Sequence, residues 1–120
     1  DVLVRDNTFE TPGAAILIEG DSNYWFESGA TRHIVIEGNR FHQCAYVSAW
    51  GKAPIQVSPS ALVWEKDRRY HQYLEVRGNV FQCCDDRLVN AVNLKKLVFL
   101  DNKIERTTVF EPIKGQAIGT

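Results

Sequence analysis

Apolar and polar positions alternate in short bursts along this chain, and the bursts recur. "VLVRDNTF" (Val2 to Phe9) returns as "IVIEGNRF" (Ile34 to Phe41), as "LEVRGNVF" (Leu74 to Phe81) and as "VFLDNKI" (Val98 to Ile104). The shared pattern is apolar, any, apolar, any, Asp or Gly, Asn, any, then Phe or Ile. Alternation with period two predicts half-buried strands. The Asp/Gly-Asn pair predicts a tight bend, because both residues tolerate a left-handed backbone. A second strand is predicted in each period from "AAILIEG", "APIQVSP" and "RLVNAVNL".

The aligned asparagines Asn7, Asn39, Asn79 and Asn102 are separated by 32, 40 and 23 residues. The shortest interval is close to one bare coil of a parallel β-solenoid, so the longer ones carry inserted loops. Stacked coils would place the four amides above one another as a hydrogen-bonded structural ladder. Phe9, Phe41, Phe81 and Ile104 would form an internal apolar column beside it. Cys44 and Cys84 each lie three residues after an aligned Phe, which predicts stacked, buried, reduced thiols, and the repeat places no charged activator beside either.

The pattern thus predicts an all-β parallel β-helix of about four coils. No window shows helical periodicity at convincing length; "SPSALVWEKDRRYHQ", Ser58 to Gln72, is the one place for a short helix or a long excursion. The strand pattern starts at once with Asp1-Val2-Leu3-Val4, the chain holds no Met, and no amphipathic cap closes either end. Residues 1–120 therefore read as a single β-helix segment, a fragment of a larger chain whose remaining coils complete the solenoid.

Composition narrows the chemistry. The 120 residues are 44% hydrophobic with a net charge of -1, which argues against disorder and against electrostatic capture of nucleic acid or an anionic membrane. No apolar run approaches the roughly 20 residues that span a bilayer, and no signal-peptide pattern opens the chain. The three cysteines, Cys44, Cys83 and Cys84, form neither an even disulfide framework nor a spaced metal motif. His33, His42 and His71 lack metal-ligand spacing, so no metal and no cofactor are expected.

The candidate site lies in the loops. "DSNYWFESG" packs Tyr24, Trp25 and Phe26 between Asp21 and Glu27, where a loop that only turned the chain would favour Gly, Pro, Asn and Ser. Asp21 also fits a turn cap, and Phe26 fits packing. "AWGKAP", with Trp50 and Lys52, is placed to overhang the same face. "VWEKDRRYHQY", with Trp64, Glu65, Asp67, Arg68, Arg69, Tyr70 and His71, reads either as a solvated loop or as a subsite wall.

These repeats resemble the right-handed parallel β-helix of many carbohydrate-active enzymes. More narrowly, "ILIEGDSNYWFESGA" followed by "VIEGNRF" resembles glycoside hydrolase family 110, bacterial exo-α-1,3-galactosidases that remove terminal galactose from blood-group-B and related glycans. The resemblance implies a galactose-terminated oligosaccharide as partner, inversion at the anomeric carbon, no metal, and a secreted, periplasmic or cell-surface location. Inversion needs one carboxylic acid on the leaving oxygen and one carboxylate on a water, about 6.5–9.5 Å apart. The paired aspartates of the family are expected on coils before Asp1; within this chain Asp21 and Glu27 are the candidate catalytic carboxylates. Asn23, Tyr24, Trp25, Trp50 and Trp64 are the candidate substrate contacts, with Trp25 the leading sugar platform, since aromatic faces suit the apolar C–H face of galactose and Asp, Glu and Asn suit its hydroxyls. Two other readings stay open: a polygalacturonase or lyase acting on acidic polysaccharide, and a non-catalytic glycan-binding β-helix.

Overall fold

A computed structural model describes residues 1–19, 31–47, 49, 51–57, 71–92 and 94–112. Its elements are strands: β1 (Val2–Arg5), β2 (Thr8–Thr11), β3 (Ile16–Ile18), β4 (Ile34–Glu37), β5 (Arg40–Cys44), β6 (Ile55–Val57), β7 (His71–Arg77), β8 (Val80–Gln82), β9 (Val89–Ala91), β10 (Leu94–Leu100) and β11 (Lys103–Ile104). They pair in parallel into three sheets, β1-β4-β7-β10, β11-β8-β5-β2 and β3-β6-β9. Each of the first three coils lays one strand on each sheet, and β10 and β11 extend the first two sheets, which makes the chain a parallel β-helix. Among the described residues no helix is long and apolar enough to cross a membrane.

The repeat seen in sequence is longer than one strand. Each copy bends at its Asp/Gly-Asn pair and continues onto a second sheet, so β1 and β2, β4 and β5, and β7 and β8 are halves of one motif. The predicted second strand is therefore the third of the coil, and it stacks in register as Ile16↔Ile55↔Val89. The bend has a common conformation. Asp6, Gly38, Gly78 and Asp101 have φ of 59°, 66°, 63° and 56°, while the asparagines after them do not enter the left-handed region. Only the first residue of the pair needs that freedom. The Asn is retained for its side chain.

The asparagine ladder forms as expected. Each side-chain Nδ2 donates to the Oδ1 of the next Asn, at 3.2 Å from Asn7 to Asn39, 3.1 Å from Asn39 to Asn79 and 2.9 Å from Asn79 to Asn102. The same Oδ1 atoms accept the backbone N–H of the preceding Asn at 2.9–3.0 Å. Nδ2 of Asn39, Asn79 and Asn102 also donates to the carbonyl of Val4, Ile36 and Val76, so the amide splices strands on both sides of the corner. Buried polar groups require such partners.

Inside the coils Phe9, Phe41 and Phe81 stack with ring centroids 5.2 and 4.7 Å apart, and Ile104 follows in register below Phe81. Ile34, Ile36, Leu74 and Val76 line the first sheet, and Ile55 and Val57 the third. Offset stacking of this kind adds about 0.5–1.5 kcal/mol per pair beyond the area buried. All three thiols are buried and free. Their pairing differs from the expectation: Cys44 meets Cys83, not Cys84. Gln43 is one residue extra in β5, so Phe9↔Phe41 is followed by Thr11↔Cys44, and the bulge brings Cys44 level with the second residue after Phe81.

Candidate active site

The inserted loops leave from one corner. Segment 19–33 runs from β3 to β4 and segment 58–70 from β6 to β7, so both cross from the third sheet to the first in consecutive coils. Their feet touch. Ile18 and Val57, the last residues before each loop, are paired neighbours. On the far side the backbone N–H of Thr31 donates to Nδ1 of His71 at 3.2 Å, the Thr31 hydroxyl lies 2.9 Å from the same nitrogen, and the N–H of Gln72 donates to the Thr31 carbonyl at 3.0 Å.

His71 was grouped in sequence with a charged loop; it is instead the fully buried first residue of β7. Burial penalises the imidazolium and lowers the pKa of His71. Accepting from Thr31 fixes the ring as the neutral tautomer with its proton on Nε2. The signal was present in the sequence. Extending the Ile34↔Leu74 register back three residues aligns Thr31 with His71.

Asp21, Asn23, Tyr24, Trp25, Glu27 and Trp64, together with Phe26, Glu65, Asp67, Arg68, Arg69 and Tyr70, lie outside the described residues; the topology assigns them to these two loops. Trp50 is also outside them, but its neighbours are described. Lys52 donates its backbone N–H to Gln56 Oε1 at 3.5 Å, and Gly51 backs onto Ala14 so closely that a Cβ there would lie 2.8 Å from the alanine methyl. That insertion sits on the connection from the second sheet to the third. The expectation that "AWGKAP" overhangs the same face is corrected accordingly: it departs from the opposite end of β6.

Beside the loop corner, the outer face of the first sheet carries a polar cluster. Period-two alternation turns Leu74 and Val76 inward and Tyr73, Glu75 and Arg77 outward. Arg77 bonds Glu37 on the neighbouring coil, at 3.0 Å from Nε and 2.9 Å from NH2, and lies 3.7 Å from Glu75. The Tyr73 hydroxyl donates to Glu75 at 3.2 Å, and its ring lies 4.9 Å from that of His33. Glu37 holds the Arg77 pKa up, with Glu75 adding to it. Desolvation first, and then Glu75, raises Tyr73. With Arg5 also within 3.8 Å of Glu37, the carboxylate oxygens here are taken up by guanidinium groups and the Tyr73 hydroxyl. The cluster is a hydrogen-bonding wall, unlike a free acid and base facing a substrate.

His33 precedes β4, and His42 sits within β5, 3.6 Å from Glu10. Among the described residues no three His, Cys, Asp or Glu side chains converge as a metal ion requires.

Fold and corner together define a β-helix in which two long connections leave adjacent coils at one corner, beside a polar sheet face. No family model matches the chain. It is 36% identical over 115 residues to an α-1,3-galactosidase A of Bacteroides fragilis, covering 95% of this chain and 19% of that protein. It is 33% identical over 113 residues to an α-1,3-galactosidase B of Bacteroides thetaiotaomicron, 92% of this chain and 18% of the relative. With an α-1,3-galactosidase B of Akkermansia muciniphila it shares 34% over 106 residues, 86% and 13% of the two chains. The resemblance to glycoside hydrolase family 110 thus extends over nearly the whole chain, far beyond Ile16–Ala30. The chain spans about a fifth of the length of these relatives or less.

Proposed function

We propose that this β-helix segment is part of a glycoside hydrolase that removes terminal α-1,3-linked galactose, of the blood-group-B type, from glycans. The observation that carries the reading is the likeness over 95% of the chain to proteins named α-1,3-galactosidase. The corner geometry supports it. Two loops rich in Trp, Asp and Glu share one pair of feet, as a pocket for a single terminal sugar needs.

In this reading Trp25 stacks on the apolar face of galactose, with Asn23, Tyr24 and Trp64 making further contacts. Asp21 and Glu27 act as the acid and base of an inverting hydrolysis: one protonates the departing oxygen and the other takes a proton from water on the opposite face. No metal takes part. The working location is outside the cytoplasm, where such glycans are met. An acidic polysaccharide is the poorer substrate, because Arg5 and Arg77 on the outer face are already matched by Glu37 and Glu75.

Galactose release from a terminal α-1,3-galactosyl disaccharide by the full-length protein tests the reading. Glu27→Gln and Asp21→Asn are each expected to lower kcat by about 10²–10⁴-fold in folded protein. Activity retained by both variants would move the acid and base to other coils. No release by the wild type would overturn the reading.

A further inference from the structure

Cys44 and Cys83 face each other inside the helix at neighbouring coils. The Gln43 bulge creates the match: His42 is opposite Gln82, Gln43 takes φ 54° as the extra residue, and Cys44 comes level with Cys83. The two thiols are 1% and 3% exposed and hydrogen-bonded to one another. Each also reaches a phenylalanine carbonyl one coil away, Cys44 Sγ that of Phe9 at 3.4 Å and Cys83 Sγ that of Phe41 at 3.5 Å. Strands in a parallel sheet lie about 4.8 Å apart. A disulfide spans Cα separations of about 4.4–6.8 Å. Cys84 is turned away, with its sulfur 3.7 Å from the Glu111 carbonyl.

The stacked pair stands apart from the glycosidase reading and does not depend on it. We propose that Cys44 and Cys83 are an oxidisable pair that closes to a coil-to-coil disulfide under hydrogen peroxide, with Cys84 left as a thiol. The hydrogen bond from Cys44 lowers the Cys83 pKa, and in this proposal Cys83 is the attacking sulfur once its proton is lost. Its thiolate attacks one peroxide oxygen, the O–O bond breaks and hydroxide leaves, giving a sulfenic acid. Cys44 sulfur then attacks Cys83 sulfur; the S–S bond forms, the S–O bond breaks, and the departing oxygen takes up protons as water. Two thiols and one peroxide give one disulfide and two waters. Peroxide is small and neutral, and it enters through the local openings that native proteins undergo. The product staples the two coils whose loops share the Thr31–His71 contact.

The test is peroxide treatment of the native full-length protein, followed by alkylation, proteolysis without reduction, and mass spectrometry. The expected product is a cross-linked peptide pair joining Cys44 to Cys83, two hydrogens lighter than the dithiol and separated by dithiothreitol. It should form in Cys84→Ser and be absent in Cys83→Ser, and the wild type should show a Tm raised by peroxide and restored by reductant. A Cys83–Cys84 link, recovery of Cys44 and Cys83 as free thiols, or Cys83 sulfinic acid beside an intact Cys44 thiol would each overturn the proposal.

Discussion

Asn39 binds three coils at once. It accepts from Asn7, donates to Asn79 and donates to the Val4 carbonyl, all while 1% exposed. Asn39→Ala would remove the acceptor of the Asn7 backbone N–H and the buried donor to the Val4 carbonyl and Asn79 Oδ1, and a group left unsatisfied on burial costs about 1–3 kcal/mol. The expected loss in urea denaturation is about 2–4 kcal/mol. Asn90→Ala removes a bond to Gln56 on the third sheet and should cost about 0.5 kcal/mol or less. Equal losses at the two sites would contradict the ladder's role. His71 gives a second prediction at this scale. Its pKa is lowered in the folded state below the ordinary 6.5, so the unfolded chain binds more protons as the medium turns acidic. Its contribution is complete above about pH 6.5 and is lost as pH falls toward the folded value. Acidification from pH 7 to 5 should lower Tm more in the wild type than in His71→Gln; parallel profiles would refute the assignment.

At the scale of the element, the corner turns rest on a left-handed residue before each Asn. A Cβ at Gly78 would meet nothing within 4 Å, so Gly78→Ala isolates the backbone effect, with an expected cost of about 1–2 kcal/mol. Gly78→Asp should cost less, since Asp6 and Asp101 fill the same position with φ of 59° and 56°. An Ala variant as stable as the Asp variant, compared by urea denaturation, would count against this account. The turns were legible in sequence because Asp and Gly share one backbone tolerance, and the aromatic column because period-two alternation names the inward face. The thiol partner was not legible. Counting three residues from each Phe assumes equal strand lengths, and Gln43 breaks that equality through a single residue in the left-handed region.

For the whole molecule, the sheet order turns loops separated in sequence into neighbours. Thr31 and His71 are 40 residues apart and in hydrogen-bond contact, because one long coil lies between them. The inserted loops were visible as the excess over the shortest repeat, and their aromatic and acidic content set them apart from simple turns. Their common corner was not visible until each coil was seen to carry three strands, since a two-strand coil puts "AWGKAP" on the same side. The His71 anchor was hidden by its charged sequence neighbours, although the repeat register locates it. The central claim is that these loops serve an inverting α-1,3-galactosidase, and proton NMR of the full-length protein acting on a terminal α-1,3-galactosyl disaccharide tests it most directly. The account expects β-galactose to appear first and to mutarotate later. First release of α-galactose, or no release of galactose, would contradict it.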